Sequence, residues 1–458
     1  MKSATFISLC ILVCRSILFG QVGTLLNDTT AVKITKRPGL AITEILGTNI
    51  ILNRFNANVR NVDWAKVTPQ AWQTNLSQGF HTDFDNFSTN WLGHPYTGSL
   101  YYNAARSNGY NFWQSIPFTA AGSIMWEYFG ETCLPSKLDV ITTTVGGIYV
   151  GEVMHRITEI IKQKIKKPVL KHTFITLVNP IGEINSLIVK DNKPSDSNAL
   201  LPLIKGQLSI GGYYSFGQTN EYVWGAGGNI NLSLIYGDLF TKTKKPYRPF
   251  DYFTLKSWLN ISPNNNDIVY LSFMSHAPLF VKHINKNSVI SISQHYDYLT
   301  NSVYKIGSLA VTADYSFQHS WHPKNFIVGS VKAGVILFGS SKSEIVNFVY
   351  HSTDPEFFRD YVYGNGFKAE ADVIFNTKKF GRLSGNFNNW MIYTSDDTKG
   401  YENLSMVIIE YDYPIGRKFN VGLQTTYYQR LAHYNAYPEF RHITNDYYEF
   451  KATVGMTF

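Results

Sequence analysis

Glu152 and His155 stand three residues apart in GGIYVGEVMHR (Gly146 to Arg156), a spacing that puts both on one face of a helix. A Glu-x-x-His pair is half of a carboxylate-bridged metal site, which needs a second such pair and two further glutamates. The sequence offers no second pair, so no metal and no cofactor is expected. The simpler expectation is that Glu152 pairs with His155, with Arg156 or with a polar group on a neighbouring helix.

A hydrolase would need a base, a nucleophile and an orienting carboxylate. His94 or His155 could be the base, Ser107, Ser115 or Ser123 the nucleophile, and Glu127 or Glu152 the carboxylate. No G-x-S-x-G nucleophile turn occurs, and such a His, Ser and Glu set arises by chance in most chains of this length. The same stretch, HPYTGSLYYNAARSNGYNFW from His94 to Trp113, also supplies Tyr96, Asn103, Arg106 and Ser107. Buried polar groups must be hydrogen-bonded, so these four are expected to bind or fasten helices.

Other chemistries are excluded. Asp83 and Asp85 in HTDFDNF lack the glycine and distal glutamate of a calcium loop, and no phosphate-cradling glycine loop occurs. The formal net charge of +8 falls to about +6 without Lys2 and Arg15, which points to no nucleic acid. Lysines near a membrane suit anionic lipid head groups better.

These residues need elements to hold them. The N-terminus, MKSATFISLCILVCRSILFGQ, has a basic start, an apolar core and a small-residue end. It is expected to be a signal peptide over residues 1–21. Cys10 and Cys14 would leave with it, and the remaining Cys133 can form no internal disulfide. Residues 22–200 show helical stretches: Gly39–Phe55, Ser99–Ser107, Phe112–Phe129 bent or started at Pro117, and Lys137–Ile161. Ser136 caps the last of these and Pro168 stops the run behind it. Gly147 and Gly151, four apart, mark a close-contact face.

From residue 201 the period changes to two. In Ser308–Phe317, Leu309, Val311, Ala313, Tyr315 and Phe317 alternate with Ser308, Ala310, Thr312, Asp314 and Ser316. Phe419–Arg430 alternates likewise, and Lys368, Glu370 and Asp372 make one face of Phe367–Phe375 ionic. Strict alternation over ten residues describes a strand between two different solvents. Charged residues are scarce, 16% against roughly 25% in ordinary domains, and tyrosine and tryptophan gather near strand ends, as in membrane barrels. Tyr213, Tyr214, Tyr222, Trp224, Tyr236, Tyr252, Trp258, Tyr411, Tyr413 and Tyr427 are the expected girdle. About twelve strands are expected between residues 203 and 458. The last alternates Tyr448, Phe450, Ala452, Val454, Met456 and Phe458, and resembles the terminal strand of bacterial outer-membrane proteins.

One resemblance joins the two halves. The order HPYTGSLYYNAARSNGYNFW, WEYFGE (Trp126 to Glu131), Pro135-Ser136 and GGIYVGEVMHR resembles the bacterial outer-membrane family called domain of unknown function 3943. The likeness runs over roughly Asn53–Asn192. It implies a helical motif region followed by a β-barrel, and it implies no reaction.

The expectation is therefore an α+β membrane protein in the bacterial outer membrane: a signal peptide over 1–21, a helical plug or periplasmic cap over 22–200, and an antiparallel transmembrane barrel over 201–458. An envelope-structural, transport or channel role is expected, with a barrel-embedded enzyme acting on lipid or cell-envelope substrate as the alternative. The expected partners are outer-membrane lipids and, through the C-terminal strand ending at Phe458, the barrel-assembly machinery.

Overall fold

A computed structural model of the protein describes residues 35–81, 85–189, 204–218, 222–242, 246–262, 269–301, 303–322, 324–349, 359–395 and 398–458. The expected signal peptide and Asp83 lie outside the described residues. The chain divides into two compact units, Met1–Ala199 and Leu200–Phe458.

The first unit is helical: α1 Pro38–Asn58, α2 Pro69–Gln78, α3 His94–Ser107, α4 Phe112–Phe129, α5 Lys137–Ile141, α6 Gly147–Lys164, α7 Pro168–Val178 and α8 Pro180–Val189. Proline opens α1, α2 and α7, where its missing N–H costs nothing. Pro168 therefore starts a helix rather than stopping one, and α6 has already ended at Lys164. The α4 helix begins well before Pro117, because Asn111 and Gln114 form a reciprocal capping box at its entrance. Ser136 caps α5, as expected, by accepting from the Asp139 N–H. π-helical turns at Thr89–Gly93 and Thr142–Gly146 lead into α3 and join α5 to α6. Among the described residues no helix is long and apolar enough to cross a membrane.

The second unit is a closed barrel of twelve strands: β1 Ile204–Gln218, β2 Tyr222–Tyr236, β3 Phe253–Ile261, β4 Val269–Asn285, β5 Ser288–Thr300, β6 Lys305–His322, β7 Asn325–Lys342, β8 Tyr361–Thr377, β9 Gly381–Thr394, β10 Gly400–Ile415, β11 Phe419–Tyr434 and β12 Ile443–Thr457. Each strand pairs antiparallel with its sequence neighbours, and β1 pairs with β12 to close the ring. Closure leaves no sheet edge, which a membrane demands. At the end that holds the start of β1 and the end of β12, short turns join β4 to β5, β6 to β7, β8 to β9 and β10 to β11, and only the β2–β3 connection is long; Gly381 and Gly416 supply the positive φ that two of the turns need. A short helix, α9 Ile345–Val349, lies in the β7–β8 connection.

Alternation is inverted relative to a soluble protein. Ile210, Val331, Phe367, Leu423 and Val454 are exposed on the outer face, while Ser308, Thr312, Lys368, Asn388 and Glu402 are buried within. An apolar outer face around a polar interior makes lipid the outer solvent. The barrel is that of a bacterial outer-membrane protein.

Two expectations need correcting. The fourth strand, expected over 267–275, runs on to Asn285 through register shifts at Pro278/Phe280 and His283/Asn285; the bulges break the period that would have revealed it. Of the expected aromatic girdle, Tyr214, Tyr222, Trp224, Tyr411 and Tyr413 are exposed and Tyr252 and Tyr427 half-buried, but Tyr213, Tyr236 and Trp258 are buried. Tyr213 shares strand parity with the lumen residues Ser209 and Ser215, and Trp258 with Asn260; Tyr236 is covered by Phe253, stacked on it at 4.8 Å. The inward charges Asp314, Lys368, Glu370 and Asp412 find partners within the barrel. Ser291 and Ser293 donate to Asp314, Lys368 reaches Asp297, Lys332 reaches Glu370, and Arg382 reaches Asp412.

Candidate functional site

Close packing of α3 on α6 organises the helical unit. A Cβ built on Gly98 would stand 1.8 Å from the Thr143 carbonyl oxygen, and one on Gly147 would stand 2.5 Å from Gly98. Gly151 packs in the same way on the Tyr102 side chain. The expected glycine face is real, and its partner is the His94–Trp113 stretch, through Gly98 and Tyr102.

That approach delivers Glu152 to Arg106. Glu152 is fully buried. Arg106 Nε donates to its Oε2 at 2.7 Å and Nη2 to Oε1 at 3.1 Å. Arg156 Nε donates to Oε1 at 2.8 Å and the Tyr102 hydroxyl to Oε2 at 2.8 Å. Burial pushes the Glu152 carboxyl up, but Arg106 and Arg156 outweigh it and hold its pKa at about 2. A carboxylate so committed is no metal half-site with His155. His155 lies on the same helix, its pKa lowered to about 3, first by burial and then by Arg106. Asn103 spans three elements: it donates to the Ser99 and Gly151 carbonyls and accepts from Asn179 Nδ2 at 3.1 Å. Tyr96 is exposed, and its carbonyl accepts from the Ser99 hydroxyl. Ser107 is the last residue of α3 and partly exposed.

His94 and Glu127 meet elsewhere, with a residue the sequence reading passed over. His94, Glu127 and Asp139 offer ligand-type atoms that all lie within 4.8 Å of one another. His94 Nε2 is 3.5 Å from Asp139 Oδ1, and His94 Nδ1 is 3.0 Å from the Thr143 hydroxyl. Glu127 Oε2 accepts from the Ser136 N–H at 2.8 Å. Glu127 and Asp139 are buried. Burial also lowers the His94 pKa to about 4, which keeps the ring neutral near pH 7. In the sequence, Asp139 reads as the third residue after the helix cap Ser136, and nothing local marks it as a neighbour of His94. Among the described residues no hydrogen bond joins His94 or His155 to Ser107, Ser115 or Ser123, so no serine nucleophile is assembled.

The barrel lumen is the third arrangement. Towards its short-turn end it holds ion pairs, including Lys332–Asp372 at 2.6 Å and Arg382–Asp412 at 2.5 Å. Nearer the opposite end lies an apolar layer contributed by β3 to β7 and β9 to β12. Tyr304, from the β5–β6 connection, stacks on Tyr428 of β11 at 5.7 Å and donates to the Asn445 carbonyl of β12 at 2.7 Å. In a twelve-membered ring those strands face β5 and β6 from the far wall. Beyond the layer, Arg430 is clasped by Glu402 at 2.8 Å and Glu344 at 2.9 Å.

A closed, inside-out antiparallel barrel behind a helical unit defines an integral outer-membrane β-barrel protein. Residues 79–181 match the family described as Domain of unknown function (DUF3943). This agrees with the resemblance read from the ordered motifs between His94 and Arg156, over a shorter span. Comparison with curated proteins finds no match. Among solved structures, the chain is similar to the KdgM porin at 9% identity and TM-score 0.22, covering 55% of this chain and 99% of that one. An outer membrane channel from Pseudomonas putida F1 matches at 11% identity and TM-score 0.27, covering 58% and 100%. The outer membrane protease OmpT from Escherichia coli matches at 9% identity and TM-score 0.19, covering 56% and 96%. At such scores these likenesses bear on no mechanism, and the fold class rests on the barrel itself.

Proposed function

We propose that the protein serves the outer membrane as a shut barrel: an envelope-anchoring scaffold for the helical domain and not an open diffusion pore. The observation that carries this is the apolar layer through the lumen, in which Tyr304 reaches from the β5–β6 connection to β11 and β12 on the far wall. An open pore keeps a continuous wetted path, whereas an apolar constriction excludes water and ions. The barrel fills its own constriction, so this reading needs no helical plug. Under it, Asn103, Arg106 and Glu152 fasten the helices and are not catalytic. The partners are the lipids around the apolar belt and, through the terminal strand, the barrel-assembly machinery.

One observation favours a second reading, a gated channel. The obstructing Tyr304 is borne by a connection and not by a strand, and connections move more readily than paired strands. Planar-bilayer recording of the full-length protein tests both. A scaffold shows no current at any voltage, a gated channel shows discrete openings, and a steady ohmic current overturns the shut barrel.

A further inference from the structure

His94, Glu127 and Asp139 come from three helices, 45 residues apart from end to end, and meet in the interior of the helical unit. They are not an acidic patch but a mixed donor set: one imidazole nitrogen and two carboxylates. Their ligand-type atoms all lie within 4.8 Å of one another. Ligands of one ion at about 2.0–2.2 Å stand roughly 3–4 Å apart, so the set needs only slight contraction to share an ion.

The histidine is already aimed. Thr143 Oγ1 lies 3.0 Å from Nδ1, and the other ring nitrogen, Nε2, lies 3.5 Å from Asp139 Oδ1. Anchoring one ring nitrogen so that the other faces the ion is how protein metal sites orient histidine. The helices are also locally rewound here. π-helical turns occupy Thr89–Gly93, immediately before His94, and Thr142–Gly146, which contains Thr143. Such turns gather at functional sites. The contrast with Glu152 is informative: that carboxylate is neutralised by two arginines and a tyrosine, whereas Glu127 and Asp139 converge on a histidine.

We propose that His94, Glu127 and Asp139 form a binding site for one divalent transition-metal ion, with Thr143 as the positioning residue behind His94. One nitrogen and two oxygen donors suit Zn²⁺, Mn²⁺ or Fe²⁺ better than Ca²⁺ or Cu⁺. Three protein ligands leave a coordination position open, as catalytic and not structural zinc sites do. The site is independent of the lumen and of the scaffold reading, so either can fail alone.

The test uses full-length protein in detergent, stripped with a chelator, then titrated with Zn²⁺ alone by calorimetry with elemental analysis after dialysis. The expected result is one ion per chain, with affinity falling at least tenfold in His94→Ala, Glu127→Gln and Asp139→Asn, and unchanged in Asp63→Asn, at an exposed carboxylate. Thr143→Val should weaken binding about tenfold, the usual size of an outer-shell effect. Absence of binding, or binding that survives both His94→Ala and Asp139→Asn, overturns the proposal. Should those variants misfold, Co²⁺ loaded into the wild-type protein decides. A visible d–d absorption band of low coordination number supports the site, and a spectrum like that of hexaaqua Co²⁺ overturns it.

Discussion

The Lys368 ammonium lies 2.5 Å from the Asp297 carboxylate, although the two residues belong to β8 and β5. Trp390 completes the contact from β9, donating from Nε1 to the same Asp297 oxygen at 2.9 Å. Both charges are almost completely buried. This pair ties well-separated strands together inside the barrel.

Removing one partner should therefore cost far more than removing both. Lys368→Met leaves Asp297 buried without its cation and should lower barrel stability by about 3–5 kcal/mol. The double variant Lys368→Met/Asp297→Leu should recover most of that loss. Urea unfolding in micelles, followed by heat-modified gel mobility, measures both. Equal losses in single and double variants would show that the pair does not bridge the lumen.

Tyr304 should control whether the barrel conducts. Tyr304→Ala removes a ring stacked on Tyr428 and the hydrogen bond to the Asn445 carbonyl. Full-length wild type should be silent in planar bilayers, and the variant should show intermittent openings without a change in gel mobility. Silence in Tyr304→Ala combined with Tyr428→Ala would place the obstruction elsewhere in the lumen.

Gly98 is predicted to tolerate no side chain. The new methyl of Gly98→Ala would meet the Thr143 carbonyl oxygen, and forcing α3 from α6 should cost about 1–3 kcal/mol. Hydrogen exchange should show faster opening of both helices, with the barrel amides unaffected. Unchanged protection of α3 and α6 would refute the close approach.

Stability of the helical unit should fall in acid in two stages. His94 and His155 have folded pKa values of about 4 and 3, below the ordinary 6.5. The unfolded chain therefore binds their protons first, and stability is lost as pH falls from 6.5 towards 4. Glu44 opposes this. Burial raises its pKa from 4.5 to about 7, so its contribution is present below 4.5 and is lost as pH rises through 7. Two histidine shifts outweigh one glutamate shift, and the net slope is destabilising. Below 4.5 Glu152 adds a second stage, because its stabilisation is lost as pH falls towards its folded value of about 2. Hydrogen exchange of α3 and α6 against pH measures this. Glu44→Gln should steepen the first stage, and a curve flat from pH 6.5 to 4.5 would contradict the buried neutral histidines.

Much of the barrel was legible in the sequence because its periodicity is enforced at every position by two solvents. Lys368, Glu370 and Asp372 could only face inward, and Leu423 and Val454 could only face lipid. All twelve strands were readable on that ground. β4 was cut short where bulges at Pro278 and His283 break the alternation. The helical unit was less legible, because small polar residues leave no clear stripe. The α2, α7 and α8 helices went unread, with Pro168 mistaken for a stop.

The amino-acid sequence by itself determined the class of fold, the inside and outside of most strand positions, the helix cap at Ser136, and the glycine face at Gly147 and Gly151. These are consequences of local conformation and of the solvent each residue must meet. Only the tertiary structure decided which charges neutralise one another, that Tyr304 crosses to β12, and that Asp139 and Thr143 stand beside His94. Such pairings join residues tens to more than a hundred positions apart. Their partners are chosen by how helices and strands pack, and no local pattern in the chain records that choice.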